Sequence, residues 1–322
     1  MKRLSEYASM AEAALKQMNI SEMRPESLYA PIAYAMEAGG KRLRPSLTLM
    51  AADAFGADPA DALDAALALE LFHNFTLLHD DVMDNSDTRR NRPTVVKKFG
   101  ADAAILSGDT MMGMAERKML CVADAVLPRV MRVFNRMSME VYDGQAYDME
   151  FENRDNVSVD EYIEMIRLKT GALLGASAEI GGIIAGVDDA VAARLREYGE
   201  NLGIAFQIED DWLDTFGDAT TFGKPIGGDI NQGKKTFLLV SGMQRGGEES
   251  KALKMAMELP AGDMRVRTVT RIYEKMHLDE ECRKTAARYS AKALQSAKAT
   301  GLPDDRLEAF KSLIDRLTGR RK

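Results

Sequence analysis

Two short segments of the chain each carry three aspartates at the same spacing. The segments "HDDVMD" and "EDDWLD" contribute Asp80, Asp81 and Asp84, and Asp210, Asp211 and Asp214. On an α-helix the first and last acid of each triple lie one turn apart on the same face. Like charges this close repel one another, and Mg²⁺ is often held by one or two carboxylates together with substrate phosphates. The two segments therefore predict magnesium-binding clusters for a phosphorylated ligand.

Either cluster alone could equally be a solvated helix end, because acidic runs are common there. However, apolar residues at helical spacing precede the acids, as with Phe72, Phe75 and Leu78 before the first cluster. This pattern favours acids at the end of a long buried helix. The recurrence of one spacing in two dissimilar segments favours metal binding over a chance match.

Positive charge is concentrated in four other segments. They are "GGKRLRP" with Lys41, Arg42 and Arg44, the pair Arg89 and Arg90, "RLKTG" with Lys169 and Thr170, and the glycine-rich loop from Phe216 to Lys235 with Lys224 and Lys234. Backbone N–H groups and the dipole at a helix start favour anions. Arg42 and Lys235 could instead simply face water, and a basic pair after acids could form only weak surface ion pairs. Neither GxxxxGK[ST] nor a kinase motif set is present, which weighs against nucleotide phosphoryl transfer.

The composition is that of an ordinary globular protein. The 322 residues are 46% hydrophobic and 29% charged, and the net charge of -7 gives no reason to expect nucleic acid as a partner. The longest apolar run, Gly171 to Gly186, is shorter than a membrane span and contains Glu179. Because the amino end lacks the apolar segment of a secretion signal, we expect a cytoplasmic protein. Cys121 and Cys282 have neither metal-site nor disulfide spacing and are predicted to be reduced.

The elements that must carry these residues are predicted to be helices. Alanine, leucine, methionine, glutamate and lysine dominate, and apolar residues recur at helical spacing along most segments. Glycine and proline breaks divide the chain into roughly ten or more helices. None of the breaks is a long polar linker, so we expect an all-α fold in a single domain, residues 1–322.

In order and spacing, these segments resemble the trans-isoprenyl diphosphate synthases, also called polyprenyl synthetases. The resemblance rests on "GGKRLRP", "HDDVMDNSDTRR", "LKTG", "FQIEDDWLD" and "GKPIGGDINQGKKT". It implies an all-α isoprenoid synthase helical bundle around a deep central cavity, usually homodimeric. About three Mg²⁺ ions per active site would stabilise a leaving diphosphate. The implied reaction is head-to-tail condensation of isopentenyl diphosphate with dimethylallyl, geranyl or farnesyl diphosphate.

The resemblance also implies a role for each matching residue. Metal ions would be held by Asp80 and Asp84 with Asp81 nearby, and by Asp210 with Asp211 and Asp214 nearby. The allylic diphosphate would be bound by Arg89, Lys169, Lys224 and Lys234, with Thr170 and Gln207 beside the cationic carbon. Isopentenyl diphosphate would be bound by Lys41, Arg44, His73 and Arg90. No protein base is required, because the released diphosphate can accept the final proton.

Three further positions near these motifs are expected to lie outside the catalytic set. His79, directly before the first acids, is expected to be a structural histidine. Asn91 departs from the family pattern, which has glycine after the two arginines, and this concerns the local loop geometry only. The ending from Arg320 to Lys322 resembles the basic tail of some farnesyl diphosphate synthases, and it could equally be a frayed terminus.

Residues one and two turns before the first acids are expected to set the product length. A prenyl chain growing along the helix from Asp80 would meet Phe75, Thr76 and Phe72 with its tail. In the resembled family an aromatic residue at the position of Phe75 shortens the pocket, although both phenylalanines could equally be ordinary core. We therefore predict farnesyl or geranylgeranyl diphosphate, with fifteen or twenty carbons, as the product.

Two other kinds of protein share parts of this pattern. Class I terpene cyclases and head-to-head squalene or phytoene type synthases are also helical and magnesium-dependent, but they generally lack "GGKRLRP" and the full second acid cluster. A non-catalytic subunit of a heteromeric prenyl synthase would keep the fold, but such subunits tend to lose an acid cluster. Both clusters are intact in this sequence.

Overall fold

The computed structural model describes residues 1–218 and 226–319, and nearly all of their regular structure is helical. The described helices, numbered in chain order, are α1 (Leu4–Gln17), α2 (Glu26–Glu37), α3 (Leu43–Ala54), α4 (Leu63–Met83), α5 (Val95–Phe99), α6 (Ala101–Met119), α7 (Leu127–Glu152), α8 (Val159–Ile166), α9 (Ala172–Ile184), α10 (Asp189–Phe216), α11 (Gly228–Gln232), α12 (Phe237–Gln244), α13 (Gly247–Met257), α14 (Asp263–Lys275), α15 (Leu278–Lys298) and α16 (Asp304–Thr318). The predicted all-α fold is confirmed. Lys224 and the tail from Arg320 to Lys322 lie outside the described residues.

The remaining regular elements are short. Two 3-10 turns cover Ile20–Glu22 and Pro59–Ala62, and a π-helical turn covers Arg167–Gly171. A small antiparallel ribbon pairs β1 (Thr88–Arg89) with β2 (Arg92–Pro93).

The chain divides into two compact units. The first unit comprises Met1–Asn135 and Ala176–Leu195, and the second comprises Arg136–Gly175 and Arg196–Lys322. Helices α7, α9 and α10 contribute residues to both units. The single domain expected over residues 1–322 stays a prediction.

The first unit is built around α4, which packs against α3 and α6. Its Leu69, Leu71 and Phe72 are completely buried, and the ring of Phe72 meets Phe134 edge-on with centroids 5.8 Å apart. Burying one such side chain stabilises the fold by roughly 1.5–3 kcal/mol. The acids at the end of α4 therefore lie on a rigid support.

The second unit has its own core, to which α8, α10, α12 and α14 contribute Tyr162, Ile208, Phe237 and Tyr273. Helix α8 begins with a capping box, in which Ser158 Oγ accepts from the backbone of Glu161 and the Glu161 carboxylate accepts from the backbone of Ser158. Such reciprocal bonds satisfy N–H groups that a helix start leaves unpaired. The start of α8, which precedes the π-helical turn, is thereby fixed.

No helix among the described residues combines the length and apolarity needed to cross a membrane. Cys121 is exposed, Cys282 is buried, and both are free thiols, as predicted.

Candidate active site

The first acidic cluster lies where α4 ends. Asp80 and Asp81 precede the end of the helix by one turn, and Asp84 is its C-cap. Arg89 holds two of these acids, because its Nε donates to Asp81 Oδ1 at 2.8 Å and its Nη2 donates to Asp80 Oδ2 at 3.0 Å. The Asp81 side chain is only 4% exposed, and burial raises its pKa against the lowering influence of Arg89. Asp80 and Asp84 are more accessible and therefore better placed to bind a metal ion.

The arginine pair after this cluster is carried by the turn between β1 and β2. Arg90 and Asn91 form the turn, with φ angles of 52° and 60°. Two left-handed residues give the hairpin turn that matches the twist of its strands, and asparagine tolerates this conformation well. Asn91 therefore adopts the left-handed backbone conformation at the position where the family pattern has glycine. The turn that carries Arg89 and Arg90 forms without that glycine.

Arg42 is the buried centre of the "GGKRLRP" segment. Its Nη1 donates to Glu70 Oε1 at 2.7 Å, its Nε to Glu12 Oε2 at 2.8 Å and its Nη2 to Met36 O at 3.1 Å. The alternative that Arg42 simply faces water is therefore wrong, because helices α1, α2 and α4 each supply an acceptor. These bonds fix the loop that carries Lys41, which is itself exposed.

Arg44, His73 and Arg90, predicted to share a diphosphate site, come close together in the first unit. The pKa of His73 lies well below its usual value, first because of burial and then because of Arg44, Arg90 and Arg89. Burial also lowers the pKa of Arg44 to about 10, with Glu70 opposing the shift, so Arg44 stays charged at neutral pH. The buried Nε of Arg44 has no hydrogen-bond partner among the described residues.

The backbone at Gly40 packs against the cluster of Arg44, His73 and Arg90. A Cβ added to Gly40 would lie 3.1 Å from both terminal nitrogens of Arg90, so the guanidinium packs closely against the loop at this glycine. Gly40 also has a φ of 148°, which side chains rarely adopt. Fixed cations with a spare buried donor are suited to binding a phosphate group.

Asp211, the middle acid of the second cluster, is buried in the second unit. It accepts hydrogen bonds from Tyr162 Oη at 2.5 Å, from Phe237 N at 2.8 Å and from Gln207 Nε2 at 3.2 Å. Burial raises the pKa of Asp211 to about 7, and the charge of Asp229 adds to the rise. Asp211 thus connects α8, α10 and the start of α12.

The outer acids of the second cluster differ in accessibility. Asp214 is buried, and its Oδ2 accepts from Asp229 N at 3.0 Å while its carbonyl accepts from Gly227 N at 2.6 Å. Asp214 thereby anchors the start of α11. Asp210 is only half-buried, so its carboxylate is the most accessible of the three.

A pocket in the second unit brings together four residues predicted from the sequence, Lys169, Thr170, Gln207 and Lys234. It is completed by Asp148, Tyr162, Met165, Ile166, Asp211, Lys235 and Thr236. Lys169 Nζ donates to Asp148 Oδ2 at 2.5 Å, and Thr170 Oγ1 donates to Gln207 Oε1 at 3.4 Å. Sequence reasoning missed Asp148, because a lone acid on α7, 21 residues before its partner, has no distinguishing signal.

The predicted chain-length residues are packed in the first unit. Phe72 and Phe75 are buried, and their rings meet edge-on with centroids 5.5 Å apart. Phe75 also contacts the ring of His79 at 4.8 Å, and Thr76 Oγ1 donates to His73 O at 2.8 Å. Their role in product length stays a prediction.

His79 packs against α6. Its Nε2 lies 3.0 Å from Ile105 O, and a Cβ added to Gly108 would lie 2.3 Å from the same nitrogen. The ring therefore occupies space that only glycine leaves open, which agrees with the structural role predicted for it.

The accessible acids offer the donors that Mg²⁺ prefers. Within the parts of the chain that the structure describes, no group of three or more His, Cys, Asp or Glu side chains is arranged as a metal site. Mg²⁺ commonly takes one or two carboxylates and fills its remaining positions with phosphate oxygens and water. Asp80 and Asp84 in the first unit, and Asp210 in the second, are hard oxygen donors with accessible surface, so each cluster fits metal ions that bind together with a diphosphate.

Fold and site define an all-helical enzyme that combines accessible carboxylates with fixed cations for phosphorylated ligands. The sequence model of the polyprenyl synthetase family matches residues 25–276. The chain is 38% identical over 261 residues to the short chain isoprenyl diphosphate synthase of Methanothermobacter thermautotrophicus, which covers 81% of this chain and 80% of that protein. It is 39% identical over 265 residues to the geranylgeranyl diphosphate synthase of Methanosarcina mazei, with 82% of each chain covered.

A solved structure agrees with these sequence matches. The crystal structure of a geranylgeranyl pyrophosphate synthase superposes with a TM-score of 0.94 at 39% identity, over 100% of both chains. The chain therefore belongs to the polyprenyl synthetase family and is a prenyltransferase.

Proposed function

We propose that the protein catalyses the magnesium-dependent, head-to-tail condensation of isopentenyl diphosphate with an allylic diphosphate, giving a short-chain all-trans prenyl diphosphate and diphosphate. The observation that supports this most is the cluster of Arg44, His73 and Arg90. It offers cations and a spare buried donor to a second diphosphate, beside the one that the acids bind with metal. A reaction with a single diphosphate substrate would not need it.

Breaking the allylic C–O bond leaves a carbocation and new negative charge on the leaving diphosphate. When bound, Mg²⁺ would stabilise that charge. Asp80 and Asp84 would hold two of the metal ions and Asp210 a third, while Arg89 and Lys169 would bind diphosphate oxygens directly. Both cations are paired with carboxylates in the structure. Arg89 would turn donors from the acids to the phosphate oxygens when the substrate binds, whereas the Lys169 ammonium has three donors and would keep Asp148 while it binds a phosphate oxygen.

The carbocation would lie beside the side-chain oxygens of Thr170 and Gln207. The Gln207 amide donates to Asp211 through Nε2, so its Oε1 is turned towards Thr170. Oxygen dipoles fixed in this way stabilise positive charge without having to reorganise. The new C–C bond forms to the alkene of isopentenyl diphosphate, and the released diphosphate takes the proton that is lost. Lys234 would contact the same diphosphate, and Lys224 stays a predicted ligand.

The proposed product is geranylgeranyl diphosphate. The Methanosarcina mazei relative and the superposed crystal structure are both geranylgeranyl synthases, which favours twenty carbons over fifteen. Phe72, Phe75 and Thr76 are proposed to limit the growing chain.

We also propose that the protein is a homodimer. Helix α6 exposes Ile105 and Leu106 by 44% and 58%, and a second copy would bury such an apolar surface. Light scattering on the purified protein should give twice the chain mass, and a monomer at micromolar concentration would contradict the proposal. The cytoplasmic location stays a prediction.

Consumption of radiolabelled isopentenyl diphosphate tests the proposed reaction. With magnesium and dimethylallyl, geranyl or farnesyl diphosphate, the label should enter a longer prenyl diphosphate. A terpene cyclase or a head-to-head synthase would leave isopentenyl diphosphate unused, and a non-catalytic subunit would turn over neither substrate. The family match favours the first outcome.

A further inference from the structure

Helix α7 contacts Lys169 at two places, its backbone and its ammonium group. Its ammonium group donates to Asp148 Oδ2 at 2.5 Å. One turn earlier on α7, Gly144 lies against its backbone, because a Cβ added there would be 2.3 Å from Lys169 N and 2.7 Å from Lys169 Cα. Positions four residues apart share a helix face, so one face of α7 contacts both the backbone and the charged end of this lysine.

The backbone of Lys169 has an uncommon conformation. It lies in the π-helical turn Arg167–Gly171, which joins α8 to α9. Single π-turns are rare and often occur at functional sites, because the extra residue turns side chains away from the regular helical positions. The rearrangement here places Lys169 and Thr170 side by side on the wall of one pocket.

The opposite side of the π-helical turn is equally restricted. A Cβ added to Gly203 on α10 would lie 2.6 Å from Gly171 Cα, and one added to Gly171 would lie 3.0 Å from Glu200 O. The turn is thus held between Gly144 on α7 and Gly203 on α10, with no room for a methyl group on either side. Interiors packed this closely transmit displacements instead of absorbing them.

We propose that Gly144 and Asp148 are positioning residues, which fix Lys169 and the Thr170 hydroxyl for the allylic diphosphate before the substrate binds. Gly144 sets the position of the turn's backbone, and Asp148 limits the rotamers of the lysine side chain. The inference rests on the proposed function, in which Lys169 and Thr170 contact the reacting substrate. Pre-organised groups of this kind lower the cost of reaching the transition state.

Steady-state kinetics of Gly144→Ala test the first half of the proposal. Because a misplacement of about 1 Å can cost about 100-fold in rate, kcat/KM for the allylic diphosphate should fall by about that factor. The KM for isopentenyl diphosphate should change less than about threefold, a difference of about 0.7 kcal/mol. Gly113→Ala on α6 is the matched control, because an added Cβ there meets nothing within 4 Å.

Asp148 variants test the second half and decide the matter if Gly144→Ala does not fold. Asp148→Ala should weaken allylic substrate use about tenfold, whereas Asp148→Asn, which keeps an acceptor for Lys169, should recover most of the loss. Calorimetric titration with magnesium and inorganic diphosphate should show the same ranking without turnover. Asp64→Ala removes the acid of the Asp64–Lys118 pair in the first unit and should change neither readout.

The outcomes separate this inference from the proposed function. Product from wild type and Gly113→Ala establishes the reaction, and its absence defeats the proposed function whatever the variants do. If wild type is active and the Gly144 and Asp148 variants match it, the positioning role is wrong. Equal rises in the KM of both substrates, accompanied by lower thermal stability, would show that these residues only contribute packing and would overturn the inference.

Discussion

Arg42 and Glu70 form a buried ion pair of 2.7 Å in which both side chains are about 4% exposed. Glu70 also acts on Arg44 and Arg90, because its charge raises the pKa of both arginines against the effect of burial. One carboxylate on α4 therefore balances the cluster proposed to bind isopentenyl diphosphate. The ion pair also holds the "GGKRLRP" segment in position against α4.

Removing this carboxylate should affect one substrate selectively. Glu70→Gln should raise the KM for isopentenyl diphosphate about tenfold, equivalent to about 1.4 kcal/mol, because the start of α3, which carries Arg44, is no longer fixed. The KM for the allylic diphosphate should stay within the error of the assay. Glu12→Gln is the matched control, because Glu12 also binds Arg42 but is partly exposed and should have a smaller effect.

A lower KM for isopentenyl diphosphate in Glu70→Gln would contradict this prediction. It would mean that Glu70 only subtracts charge from the cluster and does not position it.

The accessible acid at the end of α4 should be essential for metal binding. Asp84→Ala should abolish most magnesium-dependent condensation while circular dichroism remains close to that of wild type, because Asp84 caps α4 and is exposed. Removing one metal ligand in a catalytic site typically costs several kcal/mol of transition-state stabilisation. Asp87→Ala, which loses only an exposed pair with Lys97, should keep its activity. Full activity in Asp84→Ala would refute the metal assignment.

Removing the aromatic ring of Phe75 should lengthen the product. Phe75→Ala leaves space one turn before Asp80, so chromatography of the dephosphorylated prenols should reveal chains longer than those of wild type. Phe99→Ala removes an aromatic ring that packs on Tyr34, outside α4, and should leave the product unchanged. Unchanged length in Phe75→Ala would show that Phe75 is ordinary core.

Stability should depend on pH through His73. Folding lowers its pKa below the usual 6.5, so the unfolded chain binds more protons below that pH. The free energy of unfolding should therefore fall as pH drops below about 6.5, by roughly 1 kcal/mol at pH 5.5 for this group. When the free energy of unfolding is measured by urea denaturation, His73→Gln should lack this part of the decrease at low pH. Above about pH 7, the free energy of unfolding should depend on pH in the same way for the variant and the wild type. An identical decrease in the variant would assign the pH dependence to other groups.

The sequence reveals those parts of the site in which charge is dense along the chain. The acid triples and "GGKRLRP" could be recognised because several like charges in a few residues demand a counter-ion. Helices such as α4 followed from apolar spacing. In contrast, the pairing of Arg42 with Glu12 and Glu70 joins α1, α3 and α4, and no local pattern predicts it.

Two further features depend on tertiary packing alone. The π-helical turn at Lys169 has no sequence signature, and the two glycines that pack against it, Gly144 and Gly203, are distant from it in sequence. The sequence likewise does not predict that the acids of the second triple differ in their surroundings. Asp211 is buried and accepts a hydrogen bond from Tyr162, whereas Asp210 is accessible. Identical residue types at one spacing thus acquire different roles from their surroundings.

The mass of the product formed from farnesyl diphosphate and carbon-13-labelled isopentenyl diphosphate tests the central claim most directly. The proposed reaction predicts geranylgeranyl diphosphate that contains one labelled five-carbon unit, with one diphosphate released for each unit added and no product when magnesium is chelated. Unlabelled farnesol, a cyclic hydrocarbon or a thirty-carbon head-to-head product would contradict it.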